Sequence, residues 1–453
     1  MATGGRYSTA RQGRSTRRTA ALAAVVLLVF AASLLTFSHG SLNLDITRLD
    51  LDVYRLGAKA WLSGRQVYGQ LPSVQTGLDL GFTYPPISAV VMVPLAVVPA
   101  RIAGVIMTAL TIGLLLAVLA LFLRTAGLVP DRRAGWRWAA ALSPLAVLIE
   151  PVRTTLAFGQ INVVLMALVA FDCLLPRTRW PRGALVGVAA ALKLTPAVFL
   201  LYFVATKQYR AAGWVVGSLA AVTGIGFLLA PHDSVSYWTD TVFQTGRVGS
   251  QSFFDNQSLT GLLCRAGLTG HALTLVWLAC CVVVAGLGFV AIRSTSRRGE
   301  QSLAHTDLLT DTYSDSDSDI QNDSTSVMSN SLLPLCLTAC VTLCVSPIAW
   351  SHHWVWASPA LITALALAWR DRVRYRRRLW LLAGALALFV VFPASLFPRS
   401  NNIEVTWAWW QQILGSAYVY IAVGLLAYYA VTGLRQHRQP AAPVASAVYS
   451  ISS

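Results

Sequence analysis

The chain has 453 residues, of which 55% are hydrophobic and only 12% are charged, and its formal net charge is +16 at pH 7. Soluble domains carry about twice this share of charged residues, so the composition excludes a soluble fold and indicates a protein that crosses the membrane several times. The basic residues occur in short clusters between apolar runs and not on one compact domain. This distribution is typical of a topology signal and argues against nucleic-acid binding.

The N-terminal region predicts the orientation of the chain. Residues 1–19 hold five arginines and no acidic residue, and Ala20 to Phe37 then form an apolar run. This run is long enough to cross a bilayer and too long for a signal-peptide core, and no small-residue cleavage site follows it. We therefore expect a basic cytoplasmic tail at 1–19, an uncleaved first helix, and a polar segment at 44–86 on the outer side.

The remaining apolar segments predict a membrane domain with two irregular pieces. Ile87 to Pro99 is short and contains Pro94, so we expect it to be re-entrant or interfacial. Two short helices, Ala184 to Leu192 and Pro196 to Ala205, are expected to form a hairpin with Lys193 at its outer tip. The other predicted segments are residues 102–123, 139–149, 163–175, 215–230, 273–292, 333–345, 355–369, 380–397 and 417–434. The prediction is an all-α polytopic membrane domain at 20–435 with about twelve membrane segments, followed by a cytoplasmic tail at 436–453.

Residues 299–330 differ in composition from the rest of the chain. They include the run DTYSDSDSDIQNDSTS, which is rich in serine and aspartate and has little to bury. Such a composition predicts a disordered cytoplasmic insertion. The alternating Asp and Ser resemble a calcium loop, but the glycine and terminal glutamate that such a loop needs are missing at the required offsets.

The predicted topology collects the unusual polar residues on the outer side of the membrane. They are Asp45, Asp50, Asp52, Glu150, Arg153, Gln160, Asn162, Lys193, Asn256, Gln257, His352 and His353, with Trp407, Trp409 and Trp410 nearby. Ionisable residues at membrane depth usually face a cavity, which favours a functional site. Two structural interpretations stay open. In the first, Asp52 only pairs with Arg55 or Lys59 on a solvated helix, and in the second, the two histidines are interfacial anchors beside tryptophans.

Seven motifs in this order resemble those of a known family. They are Asp50-Leu-Asp52-Val-Tyr54-Arg55, Gly64-Arg-Gln-Val-Tyr68, Phe82-Thr-Tyr84-Pro85-Pro86, Phe158-Gly159-Gln160-Ile-Asn162, Lys193-Leu-Thr-Pro196, Asn256-Gln257-Ser258-Leu259 and Ser346-Pro347-Ile-Ala-Trp350-Ser-His352-His353. The set is similar to that of the actinobacterial polyprenol-phosphate-mannose-dependent α-1,2-mannosyltransferases, which are glycosyltransferase family 87 enzymes with the GT-C membrane fold. The resemblance runs from about residue 44 to 360. The insertion near residue 310 has no counterpart in it.

The resemblance implies a GT-C-type bundle with a periplasmic first loop, and transfer of mannose from polyprenyl-phosphate-mannose to the 2-hydroxyl of a mannoside. The implied acceptor is a mannosylated glycolipid, either a phosphatidylinositol mannoside or lipomannan and lipoarabinomannan. The implied site is in the plasma membrane and faces the periplasm. The outer polar residues supply no HExxH motif and no cysteine cluster, so we expect no metal, and we expect no cofactor. A transporter or flippase for a lipid-linked sugar is the alternative, although the sequence shows no internal repeat of the kind expected for a transporter.

The resemblance also implies residue roles. An inverting transfer needs one carboxylate to take the acceptor proton and cations to receive the released phosphate. Asp52 is the first candidate for the base, with Asp50 or Asp45 as its neighbours. Candidates for the donor phosphate are His352, His353, Lys193 and Arg55. Candidates for substrate contacts are Tyr54, Tyr84, Gln160, Asn162, Asn256, Gln257 and Trp350.

Overall fold

The computed structural model describes residues 48–310, 331–399 and 402–437. The predicted first membrane helix and Asp45 therefore lie outside the described residues. Within these ranges the chain forms helices and connecting segments without a β-strand, and one isolated bridge pairs Asn256 with Trp350. The prediction of an all-α polytopic membrane protein is confirmed.

The helices are numbered here in chain order. The first nine are α1 (Leu49–Leu62), α2 (Pro86–Val91), α3 (Val93–Val97), α4 (Ala100–Thr125), α5 (Arg132–Leu148), α6 (Glu150–Phe158), α7 (Asn162–Leu174), α8 (Ala184–Leu192) and α9 (Leu200–Ala205). The other nine are α10 (Tyr209–Leu229), α11 (Pro231–Thr239), α12 (Leu259–Arg265), α13 (Gly270–Thr310), α14 (Leu333–Val345), α15 (Ala357–Arg370), α16 (Arg376–Val391), α17 (Trp409–Gly415) and α18 (Ala417–His437). Short 3-10 segments include Thr195–Phe199, Thr241–Phe243, Thr245–Val248, Ser351–Trp356, Pro393–Leu396 and Ile403–Thr406.

Only some of the described helices are long enough to cross a membrane on their own. Four helices among the described residues have the required length and hydropathy: α4, α10, the Gly270–Arg297 part of α13, and α18. The count becomes five if α5 and α6, which meet at 83°, are taken as one broken span. Helices α7 and α14 have 13 residues each. At 1.5 Å per residue each spans about 20 Å, which is less than the ~30 Å of a hydrocarbon core. The predicted number of about twelve segments includes short and broken pieces as well as full spans, so it stays a prediction.

The helices are interrupted at the irregular pieces that the sequence predicts. The segment before α4 consists of two short helices that meet at Met92, as expected for a re-entrant or interfacial piece. Lys193 is the C-cap of α8 and has extended backbone angles, so it separates α8 from the 3-10 segment that follows. The predicted hairpin therefore has its break at the expected lysine.

Helix α1 carries the polar segment and lies against α2, α3 and α6. Leu51, Val53, Tyr54 and Ala58 are buried on this helix, while Lys59 is exposed. A Cβ atom at Gly57 would lie 2.3 Å from a ring carbon of Phe82. Only glycine allows the Phe82 ring to pack this closely against α1.

Helices α8 and α10 pack together through small residues. A Cβ atom at Gly187 would lie 2.0 Å from Ser218 Oγ, and this hydroxyl donates to Ala184 O at 3.0 Å. Small residues let helix backbones approach closely in membrane proteins. The pair runs from the polar loop before Gly183 to the region of α1, where Trp61 Nε1 donates to Leu229 O.

Helix α13 extends into the predicted insertion. Its backbone continues as helix to Thr310. This part of the sequence, GEQSLAHTDLLT, contains good helix formers and leucines, whereas the Asp/Ser alternation begins only at Asp311. Residues 311–330 lie outside the described residues.

Candidate active site

The two aspartates in the first turn of α1 point to different surroundings. Residues two positions apart on a helix differ by about 200° in direction. Asp52 is buried and accepts hydrogen bonds from Gln75 N (3.2 Å) and Gln75 Nε2 (3.1 Å), which hold the 73–79 turn against α1. Asp50 is only partly buried and lies near Gln160 and Lys193. The structure therefore does not bring the first candidate for the base to the polar cluster, but it brings its neighbour there.

Asp50 has the environment of a general base. Burial raises the pKa of Asp50 to about 6, against the lowering effects of a hydrogen bond from Gln160 and the charge of Lys193, and with a further raising effect of Asp255. A carboxylate with a pKa near neutrality is still ionised at pH 7 and binds a proton more readily than an ordinary aspartate.

Behind Asp50 lies a buried hydrogen-bonded triangle. Tyr54 OH donates to Gln160 Oε1 at 2.6 Å, and Gln160 Nε2 donates to Tyr84 OH at 3.2 Å. The two tyrosine oxygens are 3.2 Å apart. Since Tyr54 lies one helical turn after Asp50, it shares the face of α1 that carries the carboxylate. The triangle links α1, the Tyr-Pro-Pro segment and the loop after α6, and it fixes the position of Gln160 next to Asp50.

Lys193 is the cation of the cluster. Its Nζ donates to Asn162 Oδ1 at 3.1 Å and lies 3.0 Å from His353 Nε2. The same ammonium lies 5.4 Å from the centre of the Tyr84 ring. Burial and the neighbouring positive charge of Lys193 hold the pKa of His353 well below its usual range, so a neutral His353 accepts from the lysine. Lys193 and His353 are both partly exposed, so this pair can reach a bound anion.

His352 and Asp255 form the far side of the cluster. His352 Nδ1 lies 3.9 Å from Asp255 Oδ2, which is beyond hydrogen-bond distance. Within the part of the chain that the structure describes, neither ring nitrogen of His352 has a hydrogen-bond partner, although the side chain is buried. Burial raises the pKa of Asp255 to about 6. The backbone of His352 is held firmly, because its carbonyl accepts from Thr155 Oγ1 (3.0 Å) and Asn162 Nδ2 (2.8 Å).

Glu150 fixes the turn that carries the two histidines. Its Oε1 accepts from Ser351 Oγ and from Thr154 Oγ1, both at 2.7 Å, and its Oε2 accepts from Tyr418 OH at 3.1 Å. Both oxygens of this buried carboxylate are thus engaged by the protein. Glu150 is therefore a positioning group that ties α6 and α18 to the histidine turn.

Four other predicted site residues lie outside the cluster, and the side chains of three of them form hydrogen bonds with backbone groups. Arg55 donates to Leu95 O (2.9 Å) and Val98 O (2.7 Å), so its guanidinium caps the end of α3. Asn256 Oδ1 accepts from Ala349 N, and Gln257 Nε2 donates to Phe254 O and Gly415 O. Trp350 packs edge-on against Phe253. The contacts of Asn256 with Ala349 and of Trp350 with Phe253 join the loop before α12 to the histidine turn.

A small cavity adjoins the cationic side of the cluster. Its volume is about 40 Å³, and its polar lining residues are Asn162, Lys193, Thr195, Thr342, Ser346 and His353. The rest of the wall is apolar and comes from α7, α14, the segment after Lys193 and the chain around the two histidines. This space has room for a few waters but not for a sugar or a prenyl unit, so binding of a lipid-linked substrate requires these walls to move apart.

Asp255 is not among the site residues predicted from the sequence. The residue lies in the Phe253-Phe254-Asp255-Asn256 run, and a carboxylate between aromatic residues and two amides was the only available signal. Its significance depends on the fold, because the loop before α12 meets the histidine turn only in three dimensions. Within the described residues no group of three or more His, Cys, Asp and Glu side chains is arranged to hold a metal ion.

Comparison with known proteins places this chain among membrane mannosyltransferases. The model of glycosyltransferase family 87 matches residues 82–314. The polyprenol-phosphate-mannose-dependent α-(1-2)-phosphatidylinositol mannoside mannosyltransferase of Mycolicibacterium smegmatis is 38% identical, with 82% of this chain and 80% of that protein covered. The protein of the same name from Mycobacterium tuberculosis is also 38% identical, with 82% and 81% covered.

More distant matches include a pentamannoside enzyme and one solved structure. A polyprenol-phosphate-mannose-dependent α-(1-2)-phosphatidylinositol pentamannoside mannosyltransferase from Mycobacterium tuberculosis is 29% identical, with 81% and 77% covered. The crystal structure of ArnT from Cupriavidus metallidurans bound to undecaprenyl phosphate aligns with a TM-score of 0.30 and 16% identity, over 90% of this chain and 77% of that one.

The fold and the site thus define a multi-pass membrane enzyme with a carboxylate and a lysine at one end of a helical bundle. The chain belongs to glycosyltransferase family 87. This membership confirms the prediction of a glycosyltransferase and disfavours the transporter or flippase interpretation.

Proposed function

We propose that the chain transfers mannose from polyprenyl-phosphate-mannose to the 2-hydroxyl of a phosphatidylinositol mannoside, with the site facing the periplasm. The observation that carries the proposal is the convergence of Asp50, Lys193 and His353 on one partly exposed cluster. The names of the relatives with 38% identity support this donor, linkage and acceptor class. Lipomannan and lipoarabinomannan are the other acceptors that the sequence resemblance leaves open.

Asp50 is the proposed base. In a single inverting displacement, the acceptor hydroxyl oxygen bonds to the anomeric carbon while the bond from that carbon to the phosphate oxygen breaks. The hydroxyl proton passes to Asp50, and the bonding electrons leave with the polyprenyl phosphate. Asp50 suits this role better than Asp52 because the residue is only partly buried and lies near Lys193, whereas both oxygens of Asp52 are engaged by Gln75.

Lys193 is the proposed acceptor of the released phosphate. Negative charge grows on the phosphate as the glycosidic bond breaks, and a preorganised ammonium stabilises this charge strongly in a site with little water. His353 and Asn162 hold the ammonium by accepting its hydrogen bonds, so its position is set before the substrate binds. The ring nitrogens of His352, which lack protein partners in the described residues, are proposed to contact the same phosphate or the mannose hydroxyls.

The proposed periplasmic orientation rests on the distribution of basic residues. The site lies where α7 begins and α8 ends. One basic cluster lies at the opposite ends of these two helices, and the others lie at the ends of α4 and α5, of α9 and α10, and of α15 and α16. These clusters are Arg124, Arg132 and Arg133; Arg177, Arg179 and Arg182; Lys207 and Arg210; and the arginines between 370 and 378. Positive residues are retained on the cytoplasmic side, so the opposite end, with Asp50 and Lys193, faces outward.

A transfer assay on the purified full-length chain tests the proposal. The enzyme is incubated in detergent with radiolabelled polyprenyl-phosphate-mannose and separate phosphatidylinositol mannosides, and Asp50→Asn serves as the inactive control. We expect a labelled glycolipid whose new mannose is released by an α-1,2-specific mannosidase. Label that enters lipomannan only would contradict the proposed acceptor, and label that resists this mannosidase would contradict the proposed linkage.

A further inference from the structure

The end of the bundle opposite the active site carries a basic cleft. It lies between the segment before α8 and the start of α10 and has a volume of about 510 Å³. Its lining consists of Pro181, Arg182, Lys207, Gln208, Tyr209, Arg210, Ala211 and Trp214. The cleft plays no part in the proposed transfer, because α10 is 21 residues long and separates it by about 30 Å from the end near α1.

Three basic side chains give this basic cleft its positive charge. Lys207 and Arg210 are exposed, and no acidic residue is among the described residues that line the cleft. The Arg182 guanidinium is fixed in the wall, since it donates to Asp172 O and Cys173 O at 2.9 Å and to Leu175 O at 2.6 Å. The two exposed cations can therefore bind an anion, while the third adds a fixed positive charge.

The backbone holds Lys207 in an unusual conformation. Lys207 follows α9 with φ of 60°, in the left-handed region where glycine is the preferred residue. Its N–H donates to Val204 O at 3.1 Å, and the N–H of Gln208 donates to Phe203 O at 2.8 Å. This tight turn places Lys207 and Arg210 at the opening of the basic cleft. It also holds a lysine in a backbone conformation that glycine would adopt with less strain.

The surroundings of the cleft indicate a lipid as its occupant. Helix α10 has the length and hydropathy of a membrane span, yet only 17% of its apolar window is buried in the protein, so most of its surface faces the acyl chains. At its start, Tyr209 is 65% and Trp214 is 43% exposed. Aromatic residues with this exposure sit at the boundary between headgroups and acyl chains. An anion bound by Lys207 and Arg210 would thus have an apolar helix face directly below it.

We propose that this basic cleft binds the phosphodiester headgroup of an anionic phospholipid in the leaflet opposite the active site. Lys207 and Arg210 pair with the phosphate, and the acyl chains lie along α10. Basic pockets between membrane helices on one side of the bilayer are known to suit such headgroups. A free phosphate would have the same charge but would make no use of the exposed face of α10.

The test compares two double variants of the full-length protein in a neutral detergent. Lys207→Gly with Arg210→Ala removes both exposed charges, and the glycine relieves the positive φ, so the fold is not weakened at this turn. Arg132→Ala with Arg133→Ala is the matched control, because it removes two exposed charges at the same end of the bundle. Thermal unfolding is measured with added phosphatidylglycerol, phosphatidylcholine or glycerol phosphate, and native mass spectrometry counts retained phosphatidylglycerol.

We expect phosphatidylglycerol to raise Tm of the wild type and the control variant by about 3 °C or more, and phosphatidylcholine to raise it by less than about 1 °C. In the cleft variant we expect the rise to fall below about 1 °C and one fewer phosphatidylglycerol to be retained. An undiminished rise in the cleft variant, or an equal loss in the control, would overturn the proposal. An equal rise with glycerol phosphate would show a site for free anions and would also overturn it.

Discussion

Helices α7 and α8 carry polar groups at both of their ends, and the two ends differ in how these groups are satisfied. At one end lie Asn162 and Lys193, in the candidate active site. At the other end lie Asp172 and Arg182. Asp172 is fully buried and accepts from Trp180 Nε1 (3.1 Å) and from a backbone N–H of α8 (3.0 Å). Arg182 donates to three carbonyl groups.

The polar groups at the Asp172 end have a structural role, whereas those at the Lys193 end are the candidates for a functional role. At the Asp172 end, protein partners engage the carboxylate and the guanidinium, so these residues hold the turn between the helices. At the Lys193 end, Asp50 and His353 are partly exposed, and both ring nitrogens of His352 lack partners among the described residues. Buried polar groups without partners are unfavourable unless a ligand completes them. The two ends should therefore respond differently to substitution.

The largest effect is expected for the carboxylate of Asp50. Asp50→Asn preserves the shape of the side chain but removes the proposed base, so we expect kcat to fall by about 10³-fold with little change in Tm. The measurement is the rate of mannosyl transfer per folded molecule in detergent. Asp52→Asn is the matched control, and we expect its rate to remain within about fivefold of wild type, because Asp52 holds the 73–79 turn only.

The reverse order of the two effects would contradict the assignment. If Asp52→Asn abolished transfer and Asp50→Asn did not, the base would be Asp52, as the sequence motif first suggested. In that case Gln75 would have to release the carboxylate when substrates bind.

The sequence predicts the cationic half of this site and leaves the choice of carboxylate open. Lys193 and His353 interrupt apolar segments, and the cost of polar side chains at membrane depth marks both residues in the sequence itself. Asp50 and Asp52 are in the same turn, and only the packing of α1 decides which one faces the site. Arg55 looks like a phosphate ligand in sequence, yet it caps α3, since the ends of short helices need donors for their carbonyls. The number of membrane segments stays a prediction, because short apolar runs can form broken helices as well as spans.

The second largest effect is expected for Lys193. Lys193→Ala removes the ammonium that is proposed to receive the leaving phosphate, so we expect kcat to fall by about 100-fold, which corresponds to a barrier increase of roughly 2.7 kcal/mol. The donor KM should change by less than about threefold, since the charge that the ammonium stabilises develops in the transition state. Lys59→Ala, an exposed lysine on α1, is the control and should leave both constants unchanged. A rise in KM at unchanged kcat would show that Lys193 only binds the donor.

A moderate fall in the rate of transfer is expected when the pH is lowered. The pKa of Asp50 is raised to about 6, and the base must be ionised to accept the proton. Transfer should therefore be nearly full at pH 7 and should fall as the pH decreases through 6, by about tenfold at pH 5. The profile of kcat between pH 5 and 8 measures this limb, and Asp52→Asn should retain it. A flat profile over this range would mean that Asp50 does not limit the rate.

The smallest effect on catalysis is expected at the other end of α7 and α8. Asp172→Asn keeps an acceptor oxygen but replaces the charged acceptor of two buried N–H groups with an amide, whose own NH₂ then faces a donor. We expect a loss of about 1–3 kcal/mol in stability, seen as a fall of several degrees in Tm. The rate per folded molecule should stay within about twofold of wild type, because Asp172 lies at the opposite end of α7 from Asn162.

Asp131→Asn is the control at the same end of the bundle. Asp131 is an exposed N-cap of α5, and asparagine caps a helix equally well. It should change neither Tm nor rate. If Asp172→Asn slowed transfer as much as Lys193→Ala while Tm stayed constant, the two ends would be coupled, and the satisfied hydrogen bonds at the Asp172 end would not mark a purely structural role.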